Sequence, residues 1–275
     1  MSIISRRGAL IAGLGGLTVL AGAGAAYGLV EEDVLPGRYR LAQHLGRCGS
    51  MPPLPRIRPG TVEQAEFRTP GGGTARVLLG YPGAVTKGLP VVVMLHGSDG
   101  DARTPFDTYG VHYHLADAVR RGVAPFAVAA IDDWAGPGWR PSPVTTRSLL
   151  PFLRHRGLAT TRIGLLGWSI GGRGALLLAA ERGPARVAAV AAASPALSGA
   201  DVTALARTLG AVPASLTCGR DDAFATPAKN LLARLRAARR AEVTGGIHPG
   251  CHDAAFRRRM LPAQIEFLGR HLSRA

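Results

Sequence analysis

Arg162-Ile163-Gly164-Leu165-Leu166-Gly167-Trp168-Ser169-Ile170-Gly171-Gly172-Arg173-Gly174-Ala175-Leu176 is the stretch on which the fold turns. Its first part, Arg162 to Gly167, reads as a buried strand. Its continuation, from Gly172 to Arg182, reads as a helix. Between them lies Gly-x-Ser-x-Gly, with Ser169 at the centre. A chain that passes from strand to helix so tightly forces strained backbone angles on the serine. Glycine at 167 and 171 removes the side chains that would clash there. The helix that starts at Ser169 directs the positive end of its dipole toward any negative charge that develops at the hydroxyl. Ser169 is therefore the candidate nucleophile.

Outward from this turn, strand and helix signals alternate. Strands are predicted at Ala75–Tyr81, Pro90–Leu95, Ala124–Ile131, Val187–Ala193, Ser215–Cys218 and Val243–Gly245. Pro90-Val91-Val92-Val93-Met94-Leu95 is a continuous run, as expected of a strand covered on both faces. Helices are predicted at His112–Arg121, Thr146–Arg156, Val202–Thr208, Pro227–Arg240 and Ala255–Leu272. This alternation implies a mainly parallel sheet with helices on both faces, and it places ligand chemistry at the carboxyl ends of the strands.

A serine hydroxyl needs a base to take its proton, and the base needs an acid to orient it. Of the acids after Ser169, only Asp221 and Asp222 directly follow a predicted strand. His248 and His252 both fall after the last strand, and position alone does not choose between them. His271 sits in the terminal helix and reads as a surface residue. His96-Gly97-Ser98-Asp99-Gly100 follows the Val91–Leu95 strand, so the amides of Ser98 and Ile170 are the expected oxyanion donors. Tyr109, Trp134 and Trp139 lie near strand carboxyl ends and are candidates for a substrate pocket. His112 and His114 are two apart on a helix and make a poor metal pair. No metal site, phosphate loop or cofactor is expected.

The formal net charge is +15, and Lys87 and Lys229 are the only lysines, so the excess is arginine. No nucleic-acid-reading motif accompanies it. The charge reads first as an arginine-rich composition on solvated helix faces, and the functional alternative is a weak peripheral attraction to an anionic cell envelope. Residues 1–30 read apart from the fold. Arg6 and Arg7 precede an uncharged stretch from Gly8 to Val30, with small residues around Ala21–Ala25. This is the pattern of a twin-arginine export signal or, uncleaved, of an N-terminal anchor. Residues 31–60 read as an arm ending in the extended Met51-Pro52-Pro53-Leu54-Pro55, and residues 61–275 as one domain. The three cysteines, Cys48, Cys218 and Cys251, allow one internal disulfide in an oxidising compartment.

Gly167-Trp168-Ser169-Ile170-Gly171-Gly172-Arg173-Gly174-Ala175 resembles the elbow of the esterase D / S-formylglutathione hydrolase and antigen 85 branch of the α/β hydrolases. Cys218-Gly219-Arg220-Asp221-Asp222-Ala223-Phe224 is similar to that branch's acid motif, and Gly250-Cys251-His252-Asp253 to its histidine loop. The resemblance runs from about residue 35 to the C-terminus and looks like a secreted actinobacterial form. It implies the α/β-hydrolase fold and selects Asp222 and His252 to complete a triad with Ser169. The expected activity is hydrolysis of small-molecule or lipid carboxylic esters or thioesters through an acyl-enzyme, without metal. The alternatives are acyl transfer onto sugar or glycerol hydroxyls, as in the antigen 85 relatives, and a non-catalytic envelope-binding module. Two segments, Ser194–Ser215 and Asp132–Val144, are short for the family, so little or no cap is expected. S-formylglutathione itself is not an expected substrate outside the cytoplasm. With Asp222 reaching the histidine, the ends of the strands before the acid and histidine loops become neighbours. A disulfide between Cys218 and Cys251 is the pairing this implies; the alternatives are that both are reduced, buried thiols or that Cys48 is bonded to either one.

Overall fold

A computed structural model describes residues 41, 42, 44–84, 87–98, 100–132 and 144–273. The chain divides into two compact units, residues 1–47 and 48–275. In the first, the described residues form a helical turn, with the Leu45 amide donating to the Leu41 carbonyl. Trp134 and Trp139 lie outside the described residues, as does nearly all of the short Asp132–Val144 segment.

The second unit is built on eight strands: β1 (Val62–Arg68), β2 (Thr74–Gly80), β3 (Pro90–Leu95), β4 (Ala127–Ile131), β5 (Ala159–Trp168), β6 (Val187–Ala193), β7 (Ala214–Gly219) and β8 (Val243–His248). They form one sheet in the order β1-β2-β4-β3-β5-β6-β7-β8. β2 pairs antiparallel with both β1 and β4, and the remaining pairings are parallel. The predicted parallel core is present, with strand ends shifted by a few residues. β1 was not foreseen as a separate strand. Its outward positions are exposed and only Phe67 is buried, so it carries little apolar periodicity to read.

Seven helices are described: α1 (Thr104–Asp107), α2 (Val111–Arg120), α3 (Leu150–His155), α4 (Ile170–Arg182), α5 (Gly199–Thr208), α6 (Ala225–Ala238) and α7 (Ala254–Leu272). The predicted Thr146–Arg156 helix is a wider π-type turn over Val144–Leu149 that tightens into α3 at Pro151. Alternation along the strands divides the core between the two sheet faces. Val91, Val93, Leu95, Leu165, Val190 and Leu216 pack beneath the α3–α6 layer. Val92, Met94, Val128, Leu166, Trp168 and Ala191 pack beneath α2 and α7. The whole excursion from β6 to β7 is one short helix, α5, so no cap rises there. This is the α/β-hydrolase fold.

The cysteine pairing differs from the expected one. Cys251 is bonded to Cys48, with Cα atoms 4.9 Å apart, and Cys218 is a buried free thiol. Strand alternation explains the difference. Cys218 shares a face with Leu216 and points into the α3–α6 side of the core. Cys251 is turned toward the α7 side, where residue 49 lies beside Arg259. The two loops do approach, but through backbone. A Cβ on Gly219 would lie 2.4 Å from the Gly250 carbonyl oxygen.

Candidate active site

β5 ends at Trp168 and α4 begins at Ile170, leaving Ser169 alone in the turn at φ 53° and ψ −127°. The glycines explain how so tight a turn is packed. A Cβ on Gly167 would lie 2.3 Å from the Gly171 carbonyl oxygen, and one on Gly171 would lie 2.2 Å from the Leu95 carbonyl oxygen. Both contacts are with backbone and have no cheap relief. The serine amide donates to the Ala193 carbonyl at 3.0 Å, and its own carbonyl accepts from Ala196 at 2.9 Å. The elbow is thereby pinned to the end of β6.

Three of the residues expected from sequence come together on that elbow. The Ser169 hydroxyl lies 3.0 Å from His252 Nε2, and His252 Nδ1 lies 2.8 Å from Asp222 Oδ2. Ser169 is 7% exposed, and the Asp222 side chain is fully buried. Burial alone would raise the Asp222 pKa. The hydrogen bond and charge of His252, the Phe224 amide at 2.8 Å from Oδ1 and the nearby Ser194 hydroxyl outweigh it, and the carboxyl stays below the ordinary range. The Ser194 hydroxyl makes no hydrogen bond of normal geometry, so its contribution is that of a nearby dipole. The Phe224 ring meets the His252 imidazole edge-on at 5.4 Å. Phe224 thus supports acid and histidine at once. Its place in the acid motif alone carries no signal of that supporting role.

The neighbours fall elsewhere. Asp221 donates its amide to the Gly250 carbonyl at 3.0 Å and stitches the acid loop to the histidine loop. His248 does not lie in a loop. It is the last residue of β8, and its carbonyl accepts from the Arg220 amide at 2.7 Å. His271 is not a surface residue. It is buried, 3.1 Å from Glu242 Oε2 and edge-on to Phe267. Cys218 lies under Asp222, and burial together with that carboxylate pushes its thiol pKa far up.

Ser98 is exposed in the turn after β3. Among the described residues, neither its amide nor that of Ile170 has an acceptor within the protein. The Ser98 turn is braced from behind by charges the sequence did not single out. Asp132 accepts from the Ala102 amide and from Arg76 Nε, both at 2.6 Å, while Asp101 accepts from the Arg103 and Thr104 amides. His96 is buried with Nδ1 2.7 Å from the Gly97 carbonyl oxygen, a bracing position.

Tyr109 is a buried side chain. It is 3% exposed, its ring is edge-on to Trp168 at 4.5 Å, and its hydroxyl accepts from Arg257 Nη1 at 2.9 Å. Gly110, at φ 64°, turns the chain into α2 and sends the preceding Tyr109 side chain inward. Among the described residues, the one cluster with metal-ligand spacing is Cys48, Cys251 and Asp253, and its two sulfurs are already bonded to each other.

An eight-stranded, mostly parallel sheet with a serine elbow after β5 defines the α/β-hydrolase class. Solved structures share this architecture. A ferulic acid esterase superposes with a TM-score of 0.65 at 18% identity, covering 78% of this chain and 100% of its own. An S-formylglutathione hydrolase from Staphylococcus aureus gives 0.60 at 15%, covering 76% and 98%. An enterobactin esterase from Shigella flexneri gives 0.65 at 19%, covering 78% of this chain and 60% of its own. At these identities the likeness is one of fold. No protein-family model matches the sequence, and no curated protein matches it.

Proposed function

We propose that this chain is a serine hydrolase that cleaves carboxylic esters or thioesters through an acyl-enzyme. The observation that carries this reading is the unbroken Asp222–His252–Ser169 hydrogen-bond chain beneath a strained elbow. The Ser169 oxygen attacks the acyl carbonyl carbon, and His252 Nε2 takes the hydroxyl proton. Asp222 accepts from Nδ1–H, fixes the imidazole's orientation and stabilises its charged form. The Ile170 and Ser98 amides donate to the carbonyl oxygen as it becomes an anion. Collapse of the tetrahedral adduct expels an alcohol or thiol, which leaves with the proton from His252. Water then enters, gives a proton to His252, and releases the acid by the same steps in reverse order.

The structural neighbours include a ferulic acid esterase, an S-formylglutathione hydrolase and an enterobactin esterase, so aromatic acyl esters and short thioesters form the first substrate panel. Residues 1–30 are read as a twin-arginine export segment and 31–60 as an arm, which puts this chemistry outside the cytoplasm. A fluorophosphonate probe should label Ser169 in the folded protein. Ser169→Ala should abolish labelling and lower hydrolysis of short p-nitrophenyl esters by several orders of magnitude with an unchanged melting profile. A variant within about tenfold of the parent would refute the nucleophile. Acylglycerol or acyl-sugar products formed with glycerol or a sugar present would move the reading to acyl transfer.

A further inference from the structure

All parallel strands start at one end of the sheet, and the Ser169–His252–Asp222 chain sits at the other. The helices between them run back, so their C-termini come to the starting end. That end is rich in arginine on both sides of the sheet. Arg182 closes α4 and Arg186 follows it, Arg207 lies in the last turn of α5, and Arg236, Arg239 and Arg240 gather at the end of α6. Across the sheet, Arg120 and Arg121 end α2 and Arg270 lies in the last turn of α7. Contacts between elements place these groups on one surface. Arg240 Nη1 lies 3.5 Å from the Arg207 carbonyl oxygen, and Arg236 donates to the Gly245 carbonyl at 2.8 Å.

The two sides differ in how their charge is used. Arg120 and Arg121 pair with Asp117, and Arg270 lies 3.5 Å from Glu242. Arg186, Arg207, Arg239 and Arg240 are exposed, and among the described residues no carboxylate pairs with any of them. Glu181 and Glu242 are the nearby acids on this side, and Glu242 is already engaged by Arg270 and His271. The helix dipole accounts for a cation in a last turn, such as Arg182, Arg207 or Arg236. It does not account for Arg186, Arg239 and Arg240, which lie beyond the helix ends. Arg239 occupies the α6 cap at φ 50°, a conformation that ordinarily selects glycine or asparagine.

We propose that this end of the molecule is a docking surface for an anionic lipid bilayer, with the serine site facing away from it. Arg121 and Arg270 border a cavity of about 420 Å³ and Arg182 and Arg186 a small one, whereas Arg207, Arg239 and Arg240 line neither; their guanidinium groups, spread over the ends of separate helices, match a plane of phosphates. A single-stranded nucleic acid would also need stacking rings. The exposed large apolar side chains among the described residues are Leu45, Met51 and Val62, and none is aromatic. Binding is therefore electrostatic and peripheral, and falls as salt rises.

The test uses the full chain and vesicles of phosphatidylcholine with or without phosphatidylglycerol, read by co-sedimentation. The quantity of interest is the part of the phosphatidylglycerol-dependent binding that the substitutions below remove, since the leader, with Arg6 and Arg7, is the same in parent and variant. A variant carrying Arg186→Glu, Arg207→Glu, Arg239→Glu and Arg240→Glu should lower that binding by more than about a hundredfold, at about fivefold or more per residue. The four-lysine counterpart should keep it, and a four-glutamine variant serves if the glutamate protein melts early. No phosphatidylglycerol-dependent binding by the parent chain overturns the proposal. So does undiminished binding by the glutamate or glutamine variant, or tighter binding to double-stranded DNA than to the vesicles.

Discussion

Asp221 and Asp222 are adjacent, and His248 and His252 are four apart, so spacing alone does not tell partner from bystander. Backbone decides it. β8 continues to His248, whose carbonyl is held by Arg220. Gly250, at φ 137°, then redirects the chain, and His252 arrives under Ser169. Asp222 is chosen in the same way, since the Asp221 amide is used to bind Gly250 while Asp222 turns inward. Asp222→Asn and His252→Ala should each lower ester hydrolysis by about 10³–10⁴-fold or more. Asp221→Asn and His248→Ala should keep activity within about tenfold, because neither side chain is in the hydrogen-bond chain. Steady-state kinetics on one ester compare all four, and the reverse order of sensitivity would reject this assignment. Sequence carried the elbow clearly because its steric demands are local. The acid and base became legible only through resemblance, and Tyr109 was misread because burial depends on the turn that follows it.

At the scale of elements, strands buried on both faces announced themselves by composition, whereas half-exposed β1 did not. The disulfide was misassigned for a related reason. Two strand ends can be neighbours while their side chains face opposite sides of the sheet. Cys48–Cys251 ties the segment before β1 to the histidine loop, next to His252. Thiol titration of the protein purified without reductant should find none reactive in the native state and one, Cys218, in denaturant. Free Cys48 or Cys251 would contradict the pairing. Cys48→Ser should lower stability to urea by about 2–5 kcal/mol. Helix α2 makes a separate prediction. His114 is buried with Nε2 unpartnered, and burial, with Arg258 adding to it, lowers its pKa to about 4. Below about pH 6.5 the unfolded chain takes up a proton that the folded chain refuses until about pH 4. Folding stability present at neutral pH is therefore lost as pH falls through this window, and its upper part, above about pH 5, precedes the titration of the carboxylates. His114→Leu should flatten the fall in melting temperature between these two pH values. An unchanged slope would rule out His114 as its cause.

For the whole molecule, fold and charge say different things. The order of strands and helices was legible because each crossover repeats one local pattern, and right-handed connection leaves few arrangements for it. The +15 charge was legible as a number but not as a distribution. Only the assembled helices show unpaired arginines gathered at the end remote from Ser169. We propose that residues 1–30 direct where the protein works. Arg6 and Arg7 stand before an uncharged stretch through Val30, a low-charge run of the kind the twin-arginine route uses. Arg6→Lys with Arg7→Lys leaves net charge and hydropathy nearly unchanged, so it tests recognition of the arginine pair itself. In a host with that route, the double variant should accumulate as full-length precursor inside the cell, while the parent chain is found outside or at the envelope. Cys48–Cys251 gives a second readout. Protein trapped in the reducing cytoplasm should show three free thiols on denaturation and exported protein one. Unchanged export of the lysine variant would mean that another route reads the leader. Intracellular parent protein with its thiols reduced would mean that residues 1–30 do not direct export.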